Sequence, residues 1–209
     1  VCIEMIFFAG FRTTNIGADT PVYLDALEYY GAMPKSEILK AKLVVPYDFE
    51  EGYFLLTKFC AWLSMGKTGF LILISILIYV PVCWFVLQYS ENPMLGILTY
   101  FSFGCFEYSL GIFRQMIAMS IALMGTKYIR NRKLVKYFLI IGIAMMFHTT
   151  AIVMLPLYWI YQFKIENKVK EIFVAELICL IGARMIVMFA MRIFPKYAGY
   201  VSGKYDVQG

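Results

Sequence analysis

Long apolar runs separated by short polar or basic connections set the pattern of this chain. Residues 1–10 (VCIEMIFFAG) are apolar apart from Glu4 and read as the end of a helix. From residue 11 to about 53 the chain turns polar, with Arg12, Asp19, Asp25, Glu28, Glu37, Asp48, Glu50 and Glu51 among several lysines. Inside this section ADTPVYLDALEYY starts like a helix, with Asp19 or Thr20 as the cap and Pro21 at the first helical position. Tyr53 to Leu63 is short and amphipathic, suited to the interface or to re-entry. A full span follows over about Thr68 to Gln88, matching the roughly 20 apolar residues that a hydrocarbon core requires. Pro81 kinks this span without forbidding it.

The next apolar stretch, Met94 to Ile129, would measure roughly 54 Å as one helix, too long for one bilayer crossing. The chain must turn, and EYSLG (Glu107 to Gly111) gathers the polar and flexible residues a turn needs. Arg114 then falls in the first turn of the returning helix. Leu134 to Gln162 poses the same choice around the polar trio His148, Thr149 and Thr150. It is either one long tilted helix with His148 at the midplane or two short halves meeting at a turn. The basic connections favour the second: Lys127, Arg130, Arg132, Lys133 and Lys136 form one cluster, Lys164, Lys168 and Lys170 the next, and keeping both in the cytoplasm requires two crossings between them. A last apolar helix is expected over about Ile172 to Ile193. On this count residues 11–67, the Arg114 turn, the His148 turn and the C-terminal tail share the extracytoplasmic side.

Composition sharpens the class. Of the 209 residues 61% are apolar and 16% charged, far from the usage of a soluble domain. The fold expected is therefore all-α, a polytopic membrane helix bundle forming one integral-membrane domain over residues 1–209, with 11–67 an extracytoplasmic loop carrying short helices. Continuous rather than alternating apolar runs exclude a membrane β-barrel. A net charge of +5 concentrated in short connections reads as topology, not nucleic-acid binding. The five cysteines fall singly, without metal-ligand spacing, as small packing residues. An apolar first residue, with neither an initiator methionine nor the basic start of a signal peptide, leads us to expect a chain lacking at least its first helix, and C-terminal sequence as well. AWLSMGKT (Ala61 to Thr68) imitates a phosphate-binding loop, but no strand precedes it and a span follows.

Ionisable groups near membrane depth cost a few kcal/mol each on insertion scales, which marks them as functional candidates. Arg114 is expected at a helix N-terminus, where free N–H groups already favour an anion and a guanidinium fork suits a phosphate. The structural alternative is a snorkelling arginine, or one paired with Glu107. His148 is the only histidine. It is either a satisfied structural residue or a general base. Asp19 and Glu51 are solvated carboxylates by default and general-base candidates otherwise. The tyrosines of the polar section, Tyr23 and Tyr53 among them, suit an interfacial belt or the stacking of sugars.

GFRTTNIGADTPVY (Gly10 to Tyr23), EEGYFLL (Glu50 to Leu56), SLGIFRQMIAMSIAL (Ser109 to Leu123) and IAMMFHTTAIVMLPLY (Ile143 to Tyr158) occur in that order. Together they resemble the EpsG family of Wzy-like bacterial exopolysaccharide and capsule polymerases. The family's arginine before G-x-D-T-x-x-Y falls on Arg12 and on Gly17, Asp19, Thr20 and Tyr23. Its E-x-G-Y falls at Glu51-Gly52-Tyr53, its R-Q-x-x-A on Arg114, Gln115 and Ala118, and its F-H-x-[ST]-A on Phe147, His148, Thr150 and Ala151. The family more often has proline where Glu51 stands, which makes Glu50 the alternative acid; Glu107 lies outside the pattern.

The resemblance implies a multi-pass enzyme of the bacterial inner (cytoplasmic) membrane. Such an enzyme joins polyprenyl-diphosphate-linked oligosaccharide repeat units on the outer face, in exopolysaccharide, capsule or O-antigen synthesis, without cofactor or bound metal. It implies Arg114, His148 and Asp19 in catalysis, and Arg12, Thr20, Tyr23, Glu51, Tyr53 and Gln115 in substrate binding. The partners expected are the lipid-linked oligosaccharide, membrane lipid, and the chain-length regulator and flippase proteins of the same pathway, with no nucleic acid. A lipid-linked-glycan flippase or exporter, and an outer-face ligase or acyltransferase, are the competing readings.

Overall fold

The computed structural model describes residues 1–44 and 47–162, and all regular structure within them is helical. Residues 1–162 form one compact unit. The expected last helix over Ile172 to Ile193, the second basic cluster and the C-terminal tail lie outside the described residues. In chain order the elements are α1 (Cys2–Gly10), α2 (Thr20–Gly31), α3 (Lys35–Ile38), α4 (Glu51–Trp62), α5 (Lys67–Tyr89), α6 (Pro93–Ser102), α7 (Cys105–Ser109), α8 (Phe113–Met124), α9 (Thr126–Arg130), α10 (Leu134–Phe147), a 3-10 segment (Thr149–Met154) and α11 (Leu157–Ile160).

Among the described residues α5 is the helix long and apolar enough to cross a membrane. At 1.5 Å per residue its length is about 34 Å, and Pro81 sits inside it. α6 and α10 are apolar but shorter. The long run from Met94 is broken twice ahead of α8. Gly104 adopts φ +69° between α6 and α7, and Leu110 to Ile112 separate α7 from α8. The first of these breaks lies a few residues ahead of EYSLG, because a positive φ needs the glycine that Gly104 supplies. Arg114 is accordingly the second residue of α8. The break at His148 is equally definite: α10 stops at Phe147, His148 is extended (φ −158°, ψ 123°), and a 3-10 segment follows. The AWLSMGKT stretch is the end of α4, a tight turn with Ser64 at φ 56°, and the start of α5.

Four helices give the unit its axis. α1 runs antiparallel to α5, with Gly10 so close to Ile72 that a Cβ would lie 2.6 Å from Ile72 Cγ1, and Cys2 near Tyr79. α8 runs alongside α5 in the same direction: Ser120 Oγ donates to the Ile78 carbonyl (3.0 Å), and residues just beyond α8 reach the end of α5. α10 returns along α8, with Tyr137 against Gly125 at one end and Met146 against Gly52 at the other. Tyr30, Tyr53, Phe70, Ile74, Ile78, Phe113 and Ile117 fill the principal core. Ala118, Ala122, Tyr137, Ile141, Ala144 and Tyr158 fill the seam between α8, α10 and α11. The outer faces stay apolar: Ile3, Phe7 and Phe8 on α1, and Val135, Leu139, Ile143 and Met146 on α10, are exposed at helical spacing.

The polar section is tied down rather than free. Lys58, buried on α4, donates to the carbonyls of Leu39 (2.7 Å) and Ala41 (3.0 Å), so its charge finds acceptors where its stem is dry. Two glycines set the distances that matter at the site. Gly17 has φ +96°, and a Cβ there would sit 2.1 Å from the Leu110 carbonyl oxygen, which seats the loop before α2 on the turn before α8. Gly52 meets the Met146 backbone so closely that a Cβ would be 2.8 Å from its oxygen, which presses the start of α4 against the end of α10. Gly31, by contrast, has nothing within 4 Å. Gly17→Ala and Gly52→Ala are each expected to destabilise the protein by about 1–3 kcal/mol. Gly31→Ala is expected to be neutral or slightly stabilising, all three being read from thermal melts in one detergent.

Candidate functional site

The close approach at Gly52 has a chemical consequence, because it carries the residue just before α4 to the end of α10. Glu50 is the N-cap of α4, yet its carboxylate does not cap its own helix. It turns instead to two other elements. Oε2 accepts from Arg114 Nη1 of α8 at 2.7 Å. Oε1 accepts from His148 Nδ1 at 2.9 Å and from the Thr149 backbone N–H at 3.3 Å. Arg114 Nη1 also donates to the Asp48 carbonyl at 2.8 Å. Side-chain exposure is 8% for Glu50, 15% for His148 and 22% for Arg114, so the carboxylate is the most enclosed member of the cluster.

Burial by itself would raise the Glu50 carboxyl. The hydrogen bond from His148 and the charge of Arg114 outweigh it and hold the group at about 2. A carboxylate held ionised in this way can only accept. Nδ1 of a neutral His148 must therefore carry the proton, and Nε2 is left as the acceptor. The extended backbone at His148 and the 3-10 turn after it aim both the ring and the Thr149 N–H at one oxygen, which is why the helix has to end there.

Beneath this cluster lies an aromatic floor. Tyr23 stacks on Phe113 (centroids 4.8 Å, 27°) and packs against Phe49 and Tyr53 at 5.7 and 5.1 Å. The Arg114 guanidinium lies over Phe49 at 5.4 Å. Tyr53 is fully buried, and among the described residues its hydroxyl has no hydrogen-bond partner; Arg114 Nε likewise has none.

The residues singled out from sequence are thus distributed unequally. Arg114 and His148 are brought together, with Glu50 between them. Glu51 is exposed in the first turn of α4 and stands outside the cluster. Arg114 finds its ion partner in Glu50 and not in Glu107, which is exposed on α7. Arg12 donates to the Ala9 carbonyl and, at 2.9 Å, to the Leu110 carbonyl; Thr20 Oγ1 donates to the same Leu110 oxygen at 3.0 Å. With the guanidinium over Phe113 at 5.2 Å, Arg12 and Thr20 brace the turn that launches α8. Asp19 precedes α2 and accepts from the Tyr23 hydroxyl at 3.4 Å. Tyr23 and Tyr53 are buried in the floor, and Gln115 is half-buried beside Arg114.

Glu50 is the member that sequence reasoning left as an alternative. The signal for it was the pair of adjacent acids ahead of Gly52-Tyr53; only the fold decides which of the two faces inward. No group of three His, Cys, Asp or Glu side chains suited to a metal occurs among the described residues.

The acid sensitivity of this cluster follows from its signs. The folded Glu50 carboxyl lies below its ordinary value of 4.5. Its contribution is therefore complete above about pH 4.5 and is lost as pH falls through about 2. Acid titration of thermal stability should show that loss in the wild type and should not show it in Glu50→Gln.

Comparison with known proteins gives one match: the EpsG family model aligns with residues 1–209, the whole chain. No curated protein and no solved structure matches.

Proposed function

This chain belongs to the EpsG family, and from that premise we propose that it is a multi-pass membrane glycosyltransferase. In this reading it joins polyprenyl-diphosphate-linked oligosaccharide repeat units on the extracytoplasmic face of the bacterial inner membrane. Membership supports a polymerase-like role in polysaccharide synthesis and a membrane setting. The spanning-length α5 and the apolar outer faces of α1 and α10 fit that setting.

The observation that carries the proposal is the triad Arg114, Glu50 and His148 at the start of α8. No side chain caps α8, so its first N–H groups and the positive end of its dipole stand beside an arginine. Such a place suits the oxygens of a lipid diphosphate. An acceptor sugar hydroxyl would attack the anomeric carbon of the lipid-linked chain. The bond from that carbon to the diphosphate oxygen breaks, and its electron pair leaves with the diphosphate. Arg114 and the α8 terminus stabilise the charge that develops there. His148 Nε2 takes the proton of the attacking hydroxyl, while Glu50 holds the ring in the Nδ1–H tautomer and stabilises the imidazolium that forms. Asp19, earlier in the polar section, is the second candidate base.

The chain's polarity supports polymerase over flippase. Gly10 against Ile72 and Arg12 on Leu110 put the triad's end of the unit at the start of α5, while the basic 127–136 connection reaches the other end. Transport would call for polar groups along a path through both leaflets, whereas here the triad gathers at one end. A ligase shares the donor chemistry, and the product separates the two.

In a deletion strain, gel analysis of surface and lipid-linked glycan should show single repeat units retained and long chains lost. Loss of both from the outer face would instead indicate a flippase. On complementation with the full-length protein, Arg114→Ala and His148→Ala should each lower polymer formation by about 10²-fold or more. Unchanged chain length in both variants would refute the site.

A further inference from the structure

The end of α5 opposite the triad holds a second polar feature, which the reaction above does not use. Trp84, Gln88 and Tyr89 of α5 and Lys127, Arg130 and Asn131 around α9 line an open recess of about 400 Å³. Two cations face this recess and no carboxylate lines it. Neither Lys127 nor Arg130 forms an ion pair among the described residues, where the ion pairs lie elsewhere. Nor does either donate to the last carbonyls of α5. The cations rest on aromatic faces instead, Arg130 over Tyr89 at 5.1 Å and Lys127 over Tyr128 at 4.9 Å. That contact fixes their position while leaving their N–H donors free.

Two cations and no carboxylate among its lining residues give the recess a positive potential that an anion would offset. Its surroundings say which anion. The recess opens at the end of the one spanning-length helix among the described residues, at the level of Trp84 and Tyr89, residues that favour the headgroup zone. Leu87 near the same end of α5, and Met94, Leu95 and Leu98 on α6, present exposed apolar side chains, a surface for acyl chains.

We propose that this recess binds the phosphate of an anionic phospholipid headgroup, with Arg130 and Lys127 as its charged contacts and Gln88 and Asn131 as neutral donors. The site ties the end of α5 to the α9 connection and so fixes the depth of the unit in the bilayer. It does not depend on the glycosyltransferase reading.

Trp84 lines the recess and is one of three tryptophans, which supplies the readout. Full-length protein carrying Trp62→Phe and Trp159→Phe, delipidated in a neutral detergent, is titrated with short-chain phosphatidylglycerol, short-chain phosphatidylcholine and inorganic phosphate. A saturable change in Trp84 emission is expected with phosphatidylglycerol only. Lys127→Gln with Arg130→Gln should weaken it about 30-fold, equivalent to about 2 kcal/mol. The charge-preserving exchange Lys127→Arg with Arg130→Lys should largely keep it, as should Arg132→Gln with Lys133→Gln outside the recess. An equal response to phosphatidylcholine, an equal response to phosphate, or equal losses in the two neutralising pairs would overturn the proposal. Loss in the charge-preserving pair as well, with melting unchanged, would overturn the assignment to charge.

Discussion

A single enclosed carboxylate ties three distant elements of this fold together. Glu50 takes hydrogen bonds from a guanidinium on α8, an imidazole at the end of α10 and a backbone N–H of the segment after it. These partners lie some sixty to a hundred residues from Glu50 along the chain. A carboxylate removed from water in this way is costly unless its lone pairs are filled, and breaking such a pair typically costs about 3–5 kcal/mol. The fold meets the requirement by backbone approach. Gly52 lets α4 touch the Met146 backbone, and Gly17 lets the loop before α2 sit on the Leu110 turn. Arg12 and Thr20 then hold that turn by its one carbonyl.

The arrangement divides labour among polar residues that look alike in sequence. Two arginines precede or open helices, yet one is spent on bracing carbonyls and the other pairs with a carboxylate at an uncapped helix start. Two acids stand side by side, yet Glu50 is enclosed and Glu51 exposed. Two tyrosines from the polar section are enclosed in an aromatic floor that fixes the level of Arg114 through Phe49 and Phe113. The shell that positions a reactive group occupies more of the motif than the group itself.

This explains how far the sequence could be read. Helix α5, the break before α8 and the end of α10 at His148 were all legible, because each follows from length limits, glycine placement or a polar cluster in an apolar run. The start of α2 was legible from Asp19 and Pro21, with Asp19 rather than Thr20 at the cap and Pro21 second in the helix. The choice of Glu50 over Glu51 was not, since α4 begins between them and one residue of helix rotates a side chain by about 100°. The bracing role of Arg12 was equally hidden, because its acceptor belongs to a turn almost a hundred residues away. Pattern reports periodicity and local chemistry; it does not report which distant carbonyl a side chain will find.

The central claim, that Glu50 fixes His148 with Nδ1 protonated and Nε2 bare, can be tested on one residue because the chain contains a single histidine. Nitrogen NMR of histidine-labelled full-length protein, followed through a pH titration, reports the protonation of each ring nitrogen separately. A neutral ring with the proton on Nδ1 is expected in the wild type, and a mixture of tautomers in Glu50→Gln. A neutral ring protonated on Nε2, or a tautomer unaffected by Glu50→Gln, would contradict the claim.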